Sequence, residues 1–197
     1  MVTRKRVLLD VDGVLRDWGR SARKIAFEFA NVPKEYVQSD PTNYWWMEDL
    51  PPQFVSPCIN ALFEPGFSTL VLHRMAEPYL EAQKLYNFLK YNFNVTICSS
   101  QPNPFLETLT EQWLYKNIDN FDSNIVFTNE KHEVEGDIIV DDSPGMIGKI
   151  LEHTKMNIYC VARPWNSEVV SENRVYRNTS EEIIKDMMEK YVPEKGM

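Results

Sequence analysis

Two aspartates, Asp10 and Asp12, stand one residue apart at the end of a short apolar run, and Gly13 follows them at once. A strand that ends in this way delivers carboxylate oxygens to the mouth of a site. Burying both carboxylates without partners would cost several kcal/mol of lost solvation. A divalent cation would remove their repulsion, so this segment predicts a metal-dependent catalytic centre.

Polar residues also follow three later apolar runs. Ser99 and Ser100 come directly after one run, Lys131 lies a few residues past the next, and Asp141 and Asp142 end another. Each cluster alone has an ordinary explanation, because serines and aspartates cap helices or form turns and a lysine is usually solvated. Together, in this order and at matching positions, they favour one site at one edge of a sheet.

The combination suits phosphoryl transfer. Asp10 is placed to attack phosphorus and form an aspartyl-phosphate, and Asp12 to protonate the leaving oxygen and then activate water. A Mg²⁺ ion would find oxygen ligands in Asp10, the backbone carbonyl of Asp12 and a carboxylate of the Asp141–Asp142 pair. The Ser99–Ser100 pair would bind phosphate oxygens, and Lys131 would balance their charge.

Five short apolar runs predict the strands that position these residues. The runs are Val7–Leu9, Val95–Cys98, Ile125–Phe127, Ile138–Val140 and Ile158–Ala162. Segments of helical periodicity separate the last four runs, and a closing helix is predicted with Ser180 as its N-cap. Unbroken apolar strands that alternate with helices are typical of a Rossmann-like α/β fold with a parallel sheet flanked by helices, and ligands bind beyond the carboxyl ends of such strands.

The region of residues 17–77 does not follow this alternation. It begins with an amphipathic helix over Ala22–Phe29 and continues with an aromatic, proline-containing stretch from Pro41 to Met47. An insert of this length directly after the first strand predicts a small helical cap over the site. We therefore expect a core of residues 1–16 and 78–197 and a cap of residues 17–77.

Composition limits the classes of partner. The 197 residues carry a formal net charge of −8, which disfavours a broad electrostatic grip on long nucleic acid. No apolar run approaches the roughly 20 residues that span a bilayer, and the N-terminus lacks a signal-peptide core. We expect a cytoplasmic protein that acts on a small molecule without a membrane partner. The oligomeric state, with a homodimer among the options, stays open.

The order Asp-x-Asp-Gly-Val, strand-Ser, Lys and strand-Asp-Asp resembles the four motifs of the haloacid dehalogenase superfamily of phosphatases. This resemblance implies the roles given above, with Asp142 as the metal ligand of its pair and Asp141 in support. A narrower resemblance is to the 5′(3′)-deoxyribonucleotidase family. It is carried by Asp10–Trp18, Trp45–Trp46, Phe63–Phe67, Ile97–Ser100, Phe127–Lys131 and Ile139–Pro144, and by Arg163–Asn166, which resembles a loop of its bacterial and phage-like members.

The narrower resemblance implies a Mg²⁺-dependent phosphatase of nucleoside monophosphates, with deoxyribonucleotides favoured. In that family, aromatic residues of the cap and the one after the first motif enclose the base. The corresponding residues here are Trp18, Trp45 and Trp46. An indole face stacks on a base with about 1–3 kcal/mol, but packing of the cap's own core would also explain these tryptophans.

The chain departs from that family at several positions. Arg16 stands where a small residue is expected, and Asn103 and Asn129 stand where animal members carry basic residues near the phosphate. Arg16 and Arg163 are therefore considered as substitutes for those cations. The departures bear on the identity of the substrate more than on the chemistry.

Three alternatives stay open. The first is a superfamily phosphatase that acts on another small phosphate ester or on a nucleic-acid 3′-phosphate end. The second is a receiver-like phosphoacceptor domain, although receivers place the acceptor aspartate on a later strand and lack a long insert after the first. The third, a catalytically silent nucleotide-binding protein, is disfavoured by the complete set of Asp10, Asp12, Ser99, Lys131 and Asp142.

Overall fold

A parallel β-sheet is the frame of the computed structural model, which describes residues 4–37 and 44–192. Within these residues the sheet has six strands: β1 (Arg6–Leu9), β2 (Asn94–Ser99), β3 (Asn124–Phe127), β4 (Ile138–Asp141), β5 (Asn157–Val161) and β6 (Val175–Asn178). Their order is β3-β2-β1-β4-β5-β6, and every pairing is parallel. β1 therefore lies at the centre, with β2 and β4 as its neighbours.

Seven α-helices accompany the sheet in the described part of the chain. They are α1 (Trp18–Phe29), α2 (Pro52–Phe63), α3 (Phe67–Met75), α4 (Ala82–Asn92), α5 (Pro104–Asn117), α6 (Pro144–His153) and α7 (Ser180–Tyr191). Short 3₁₀ turns cover Lys34–Tyr36, Trp46–Asp49, Lys131–Glu133 and Pro164–Asn166. None of the helices among the described residues combines the length and the apolar character that crossing a membrane requires.

Residues of the central strand alternate between two buried cores. Val7 and Leu9 pack in one cluster with residues of α4 and α7 such as Leu85 and Ile183, whereas Leu8 packs in a second cluster with residues of α6. Successive side chains of a strand point to opposite faces, so an apolar run such as this one is buried on both. The prediction of a Rossmann-like sheet flanked by helices is confirmed.

The first three helices share an apolar cluster of their own. Ile25 of α1, Leu62 of α2 and Leu72 of α3 are buried in it. The chain enters and leaves this group of helices along two paired segments, in which the Asp17 N–H donates to the carbonyl of Glu77 at 2.9 Å. A helical cap of residues 17–77, inserted into a core of residues 1–16 and 78–197, remains our proposal for the division of the chain.

Two details differ from the expectations. The sequence pattern does not predict β6, because only Val175 is buried among the residues of this edge strand. The N-cap of α7 is Thr179 instead of Ser180, which is the first helical residue and is buried. The Thr179 hydroxyl accepts a hydrogen bond from the Glu182 N–H, and the Glu182 carboxylate accepts one from the Thr179 N–H at 3.0 Å.

Replacing Thr179 by alanine is expected to lower the free energy of unfolding by about 1 kcal/mol, because this reciprocal capping box is lost. Thr179→Ser keeps the capping oxygen and should change the stability little. Urea denaturation followed by circular dichroism measures both variants. Equal midpoints for Thr179→Ala and Thr179→Ser would show that the capping box does not stabilise α7.

Candidate active site

A cavity of about 1180 Å³ opens at the carboxyl ends of the central strands, facing α1 and α2. Parallel sheets bind ligands at this edge because the loops that follow neighbouring strands meet there. Nine of the residues predicted from the sequence to form the site line this cavity: Asp10, Asp12, Trp18, Trp45, Trp46, Ser99, Ser100, Lys131 and Asp142. The fold thus brings them to one place.

Asp10 and Lys131 form a buried ion pair at the floor of the cavity. The Lys131 Nζ lies 2.8 Å from Asp10 Oδ2 and 2.7 Å from Asp141 Oδ2. Burial raises the pKa of Asp10 to about 7, although the Lys131 charge opposes the shift. Burial by itself would lower the pKa of Lys131, but the two carboxylates outweigh it and hold that pKa above its usual value. Lys131 is therefore a fixed cation beside Asp10.

Three carboxylates form a group suited to a metal ion. Oxygen atoms of Asp10, Asp141 and Asp142 all lie within 4.8 Å of one another. Both Asp141 oxygens accept hydrogen bonds, one from Lys131 and one from the Ser143 N–H. In contrast, Asp142 Oδ1 is buried without a hydrogen-bond partner among the described residues, and burial together with the neighbouring carboxylates raises the pKa of Asp142. A buried unpaired oxygen beside two more carboxylates fits a hard divalent cation such as Mg²⁺.

The Gly13 turn lies directly against Asp142. Gly13 has a φ of +79°, and a Cβ at this position would lie only 2.1 Å from Asp142 Oδ2. Only glycine combines that backbone conformation with so close an approach. The same Asp142 oxygen accepts a hydrogen bond from Trp165 Nε1 at 2.8 Å. Sequence reasoning missed Trp165 as a site residue, although its position just after a predicted strand is a signal that could have identified it.

The carboxylate of Asp12 is held apart from that group. Arg16 binds it with two donors, Nε to Oδ1 at 2.6 Å and Nη2 to Oδ2 at 2.9 Å, and Gln101 Nε2 donates to Oδ2 at 3.1 Å. Burial alone would raise the pKa of Asp12, but the Arg16 charge and hydrogen bonds outweigh it and lower that pKa. Arg16 also contacts His73 Nδ1 and Thr110 Oγ1. Burial and the Arg16 charge lower the pKa of His73 to about 3, so the neutral ring accepts this hydrogen bond.

The two serines after β2 have different surroundings. Ser99 is 1% exposed, and its hydroxyl lies 3.4 Å from Gln101 Nε2. The Ser100 hydroxyl donates to the carbonyl of Thr128 at 2.9 Å, which ties the end of β2 to the loop after β3. Ser99 is thus the better placed of the two for a side-chain contact with phosphate. Gln101 is a further residue of the site that the sequence did not indicate.

The proposed substitute cations do not reach the cavity. Arg16 is completely buried against Asp12, and Arg163 donates to the backbone carbonyl of Gly13, so neither lines the cavity wall. The interpretation of both as phosphate-binding residues is therefore wrong. Asn103, which caps α5, and Asn129 both line the cavity. Lys131 is the only cationic side chain among the described residues of the wall.

The three tryptophans differ in how much surface they offer. Trp46 is 5% exposed and packs in the cluster shared by α1 to α3, so core packing accounts for much of it. Trp18 stacks on Phe63 with ring centroids 5.6 Å apart. Trp45 is 48% exposed and meets Tyr44 edge-on. All three border the cavity, and Trp45 leaves the largest indole surface free for a ligand.

Comparisons by sequence and by structure relate this chain to known proteins. A family model described as 5′ nucleotidase, deoxy (Pyrimidine), cytosolic type C protein matches residues 4–190. A sequence search of curated proteins finds no significant match.

Solved structures show the same fold. A predicted phosphatase from Clostridium acetobutylicum superposes with a TM-score of 0.62 at 18% identity, over 95% of this chain and 99% of that chain. A HAD-superfamily hydrolase from Geobacter sulfurreducens gives 0.60 at 14% identity, over 93% and 96%. The HAD-hydrolase YfnB from Bacillus subtilis, whose structure was determined bound to magnesium, gives 0.57 at 14% identity, over 94% and 99%. The architecture is that of haloacid dehalogenase-type hydrolases.

Replacing Arg16 by leucine is expected to destabilise the protein by about 3 kcal/mol, since it leaves the partly buried Asp12 and the buried His73 without their main partner. The matched control is Arg6→Leu, which removes an arginine whose pair with Glu135 is exposed. Exposed pairs contribute little, so the control should lose much less stability. Urea denaturation of both variants compares them, and equal losses would contradict the importance of the Arg16 contacts.

Proposed function

Because the chain belongs to the 5′ nucleotidase, deoxy (Pyrimidine), cytosolic type C family, we propose that it hydrolyses nucleoside monophosphates, deoxyribonucleotides among them, through an aspartyl-phosphate on Asp10. Membership of this family makes the protein a phosphoric monoester hydrolase. The observation that carries the finer proposal is the buried Asp10–Lys131 pair on the floor of a cavity whose wall includes four tryptophans.

The first half of the reaction would form a bond between phosphorus and a carboxylate oxygen of Asp10, while the bond to the ester oxygen breaks. Lys131 stays protonated beside Asp10 and offsets the charge that accumulates when a phosphate dianion approaches. Ser99 would donate its hydroxyl to a phosphate oxygen. The leaving oxygen needs a proton, and Asp12 would supply it. Asp12 lines the cavity and lies two residues after the nucleophile in the chain.

The second half would hydrolyse the aspartyl-phosphate. Asp12 would accept a proton from water as that water attacks phosphorus, which releases inorganic phosphate and restores Asp10. The lowered pKa of Asp12 beside Arg16 favours its ionised form, and this is the form that such a base requires. Asp12 would thus donate a proton in the first half of the reaction and accept one in the second. The Arg16 contacts favour the second transfer because they stabilise the ionised carboxylate.

The proposal includes Mg²⁺ as cofactor. The carboxylates of Asp10 and Asp142 and the backbone carbonyl of Asp12 would hold the ion, and the unpaired Oδ1 of Asp142 supports this assignment. When bound, Mg²⁺ screens the charge of the nucleophile from that of the phosphate. Asp141 would support the site by accepting hydrogen bonds from Lys131 and from the Ser143 N–H.

The charges of the wall favour a substrate with one phosphate group. Lys131 is the only cation among its described residues, whereas Glu48 and Glu64 add negative charge farther along the wall. A second or third phosphate would lack a counter-charge there. The tryptophans offer flat apolar surface to a base, as expected for an uncharged nucleoside part. We also expect a cytoplasmic location.

Replacing Asp10 by asparagine is expected to reduce turnover of every substrate by at least about 10³-fold, because the nucleophile is removed. Phosphate release measured with saturating Mg²⁺ gives the rate. Asp119→Asn, which changes an exposed aspartate outside the cavity, is the matched control and should keep wild-type activity. Appreciable residual turnover in Asp10→Asn would remove Asp10 as the nucleophile.

Nucleoside monophosphates are expected to be better substrates than sugar phosphates or phosphoglycolate when phosphate release is assayed across such a panel. Trp45→Ala should raise the KM for nucleotides by roughly ten- to a hundredfold, the equivalent of one stacking contact. Sugar phosphates serve as the internal control, since they have no base to stack. Activity on sugar phosphates alone would rule out the nucleotide part of the proposal.

A further inference from the structure

The loop Arg163–Asn166 has a fixed shape and is attached to the metal-ligand group. Asn166 is 1% exposed, and its Oδ1 accepts hydrogen bonds from the Arg163 N–H and from Arg177 Nε, each at 2.9 Å. Its Nδ2 donates to two backbone carbonyls, one of which is that of Asp142 at 2.9 Å. The loop and the backbone of Asp142 are therefore held together by buried hydrogen bonds.

The same loop restrains the side chain of Asp142. Trp165 Nε1 donates to Oδ2 at 2.8 Å, whereas Oδ1 has no hydrogen-bond partner among the described residues. Gly13 approaches the carboxylate so closely that even a methyl group there would lie 2.1 Å from Oδ2. The carboxylate is thus enclosed between the Gly13 turn and the indole of Trp165, with one oxygen engaged and the other free.

This asymmetry matters because divalent cations use carboxylates differently. Mg²⁺ requires near-ideal octahedral coordination, with ligand distances of about 2.0–2.1 Å. A carboxylate that binds the ion through both of its oxygens disturbs that geometry. Ca²⁺ accepts about 6–8 ligands at longer distances and often takes both oxygens of one carboxylate. A carboxylate that can present only Oδ1 suits Mg²⁺ and withholds a ligand from Ca²⁺.

We propose that Trp165 is a positioning residue that makes this site select Mg²⁺ over Ca²⁺. By holding Oδ2 of Asp142, the indole leaves Oδ1 as the single ligand atom and fixes its direction. The inference rests on the metal site of the proposed function and does not depend on the identity of the substrate.

Isothermal titration of the metal-free protein with Mg²⁺ and, separately, with Ca²⁺ tests the proposal without any measurement of activity. Trp165→Phe keeps an aromatic ring but removes the N–H donor. Loss of such a supporting contact typically weakens metal binding by about 10–100-fold. We expect a loss of this size for Mg²⁺ and a much smaller one for Ca²⁺, so that the ratio of the Ca²⁺ to the Mg²⁺ dissociation constant falls by about tenfold.

Matched variants define the site and the effect. Trp45→Phe changes a tryptophan of the same cavity that does not bond to Asp142, and it should leave the ratio of dissociation constants unchanged. Asp142→Asn should weaken the binding of both ions, which identifies the titrated site. Trp165→Leu repeats the test with a different apolar shape, so the conclusion does not depend on the folding of one variant, which thermal melting monitors.

The outcomes separate this inference from the proposed function. Equal weakening of Mg²⁺ and Ca²⁺ in the Trp165 variants would overturn the inference, because Trp165 would then support the site without selecting the ion. Absence of Mg²⁺ binding by the wild-type protein would instead contradict the metal part of the proposed function. An unchanged ratio with unchanged affinities would also overturn the inference, because the Trp165 contact would then have no effect on the ion.

Discussion

Crowded negative charge is the constraint to which the rest of the site responds. The carboxylates of Asp10, Asp141 and Asp142 lie within 4.8 Å of one another in buried surroundings, where unpaired charges are costly. Lys131 neutralises much of this charge by contacting two of the three groups. The third, Asp142, has one oxygen bound to an indole N–H and one oxygen without a hydrogen-bond partner in the part of the chain that the structure describes. The three carboxylates therefore keep negative charge that Lys131 does not balance, and a divalent cation would balance it.

The register of the sheet creates this crowding and could be anticipated from the sequence. Leu9 pairs with Ile97 on one side and with Val140 on the other, so the residues that follow all three strands emerge at the same level. An apolar run that stops at a polar residue is visible in the chain, and parallel pairing follows from the alternation with helices. The convergence of Asp10, Ser99 and the Asp141–Asp142 pair was therefore predictable.

Contacts between distant segments were not predictable, because no local pattern records them. Trp165 lies 23 residues from Asp142, and Arg163 lies 150 residues from the Gly13 carbonyl that it binds. The direction of the Arg16 side chain was not predictable either, although the residue is close to Asp12 in the chain. An arginine four residues after Asp12 could point toward a phosphate or back to that carboxylate. Its complete burial decides the question, and burial depends on the packing of α3 and α5 around it.

The Arg16 contacts also connect the end of the central strand with two helices. Arg16 binds Asp12 at the end of the central strand, His73 on α3 and Thr110 on α5. The segment from residue 17 to residue 77 therefore contributes tryptophans to the cavity wall and, through His73, a contact to the guanidinium that binds Asp12. A shift of α3 would alter one of the hydrogen bonds of a completely buried arginine, which is costly to leave unpaired. The position of the Asp12 carboxylate and the position of α3 are consequently linked by one side chain.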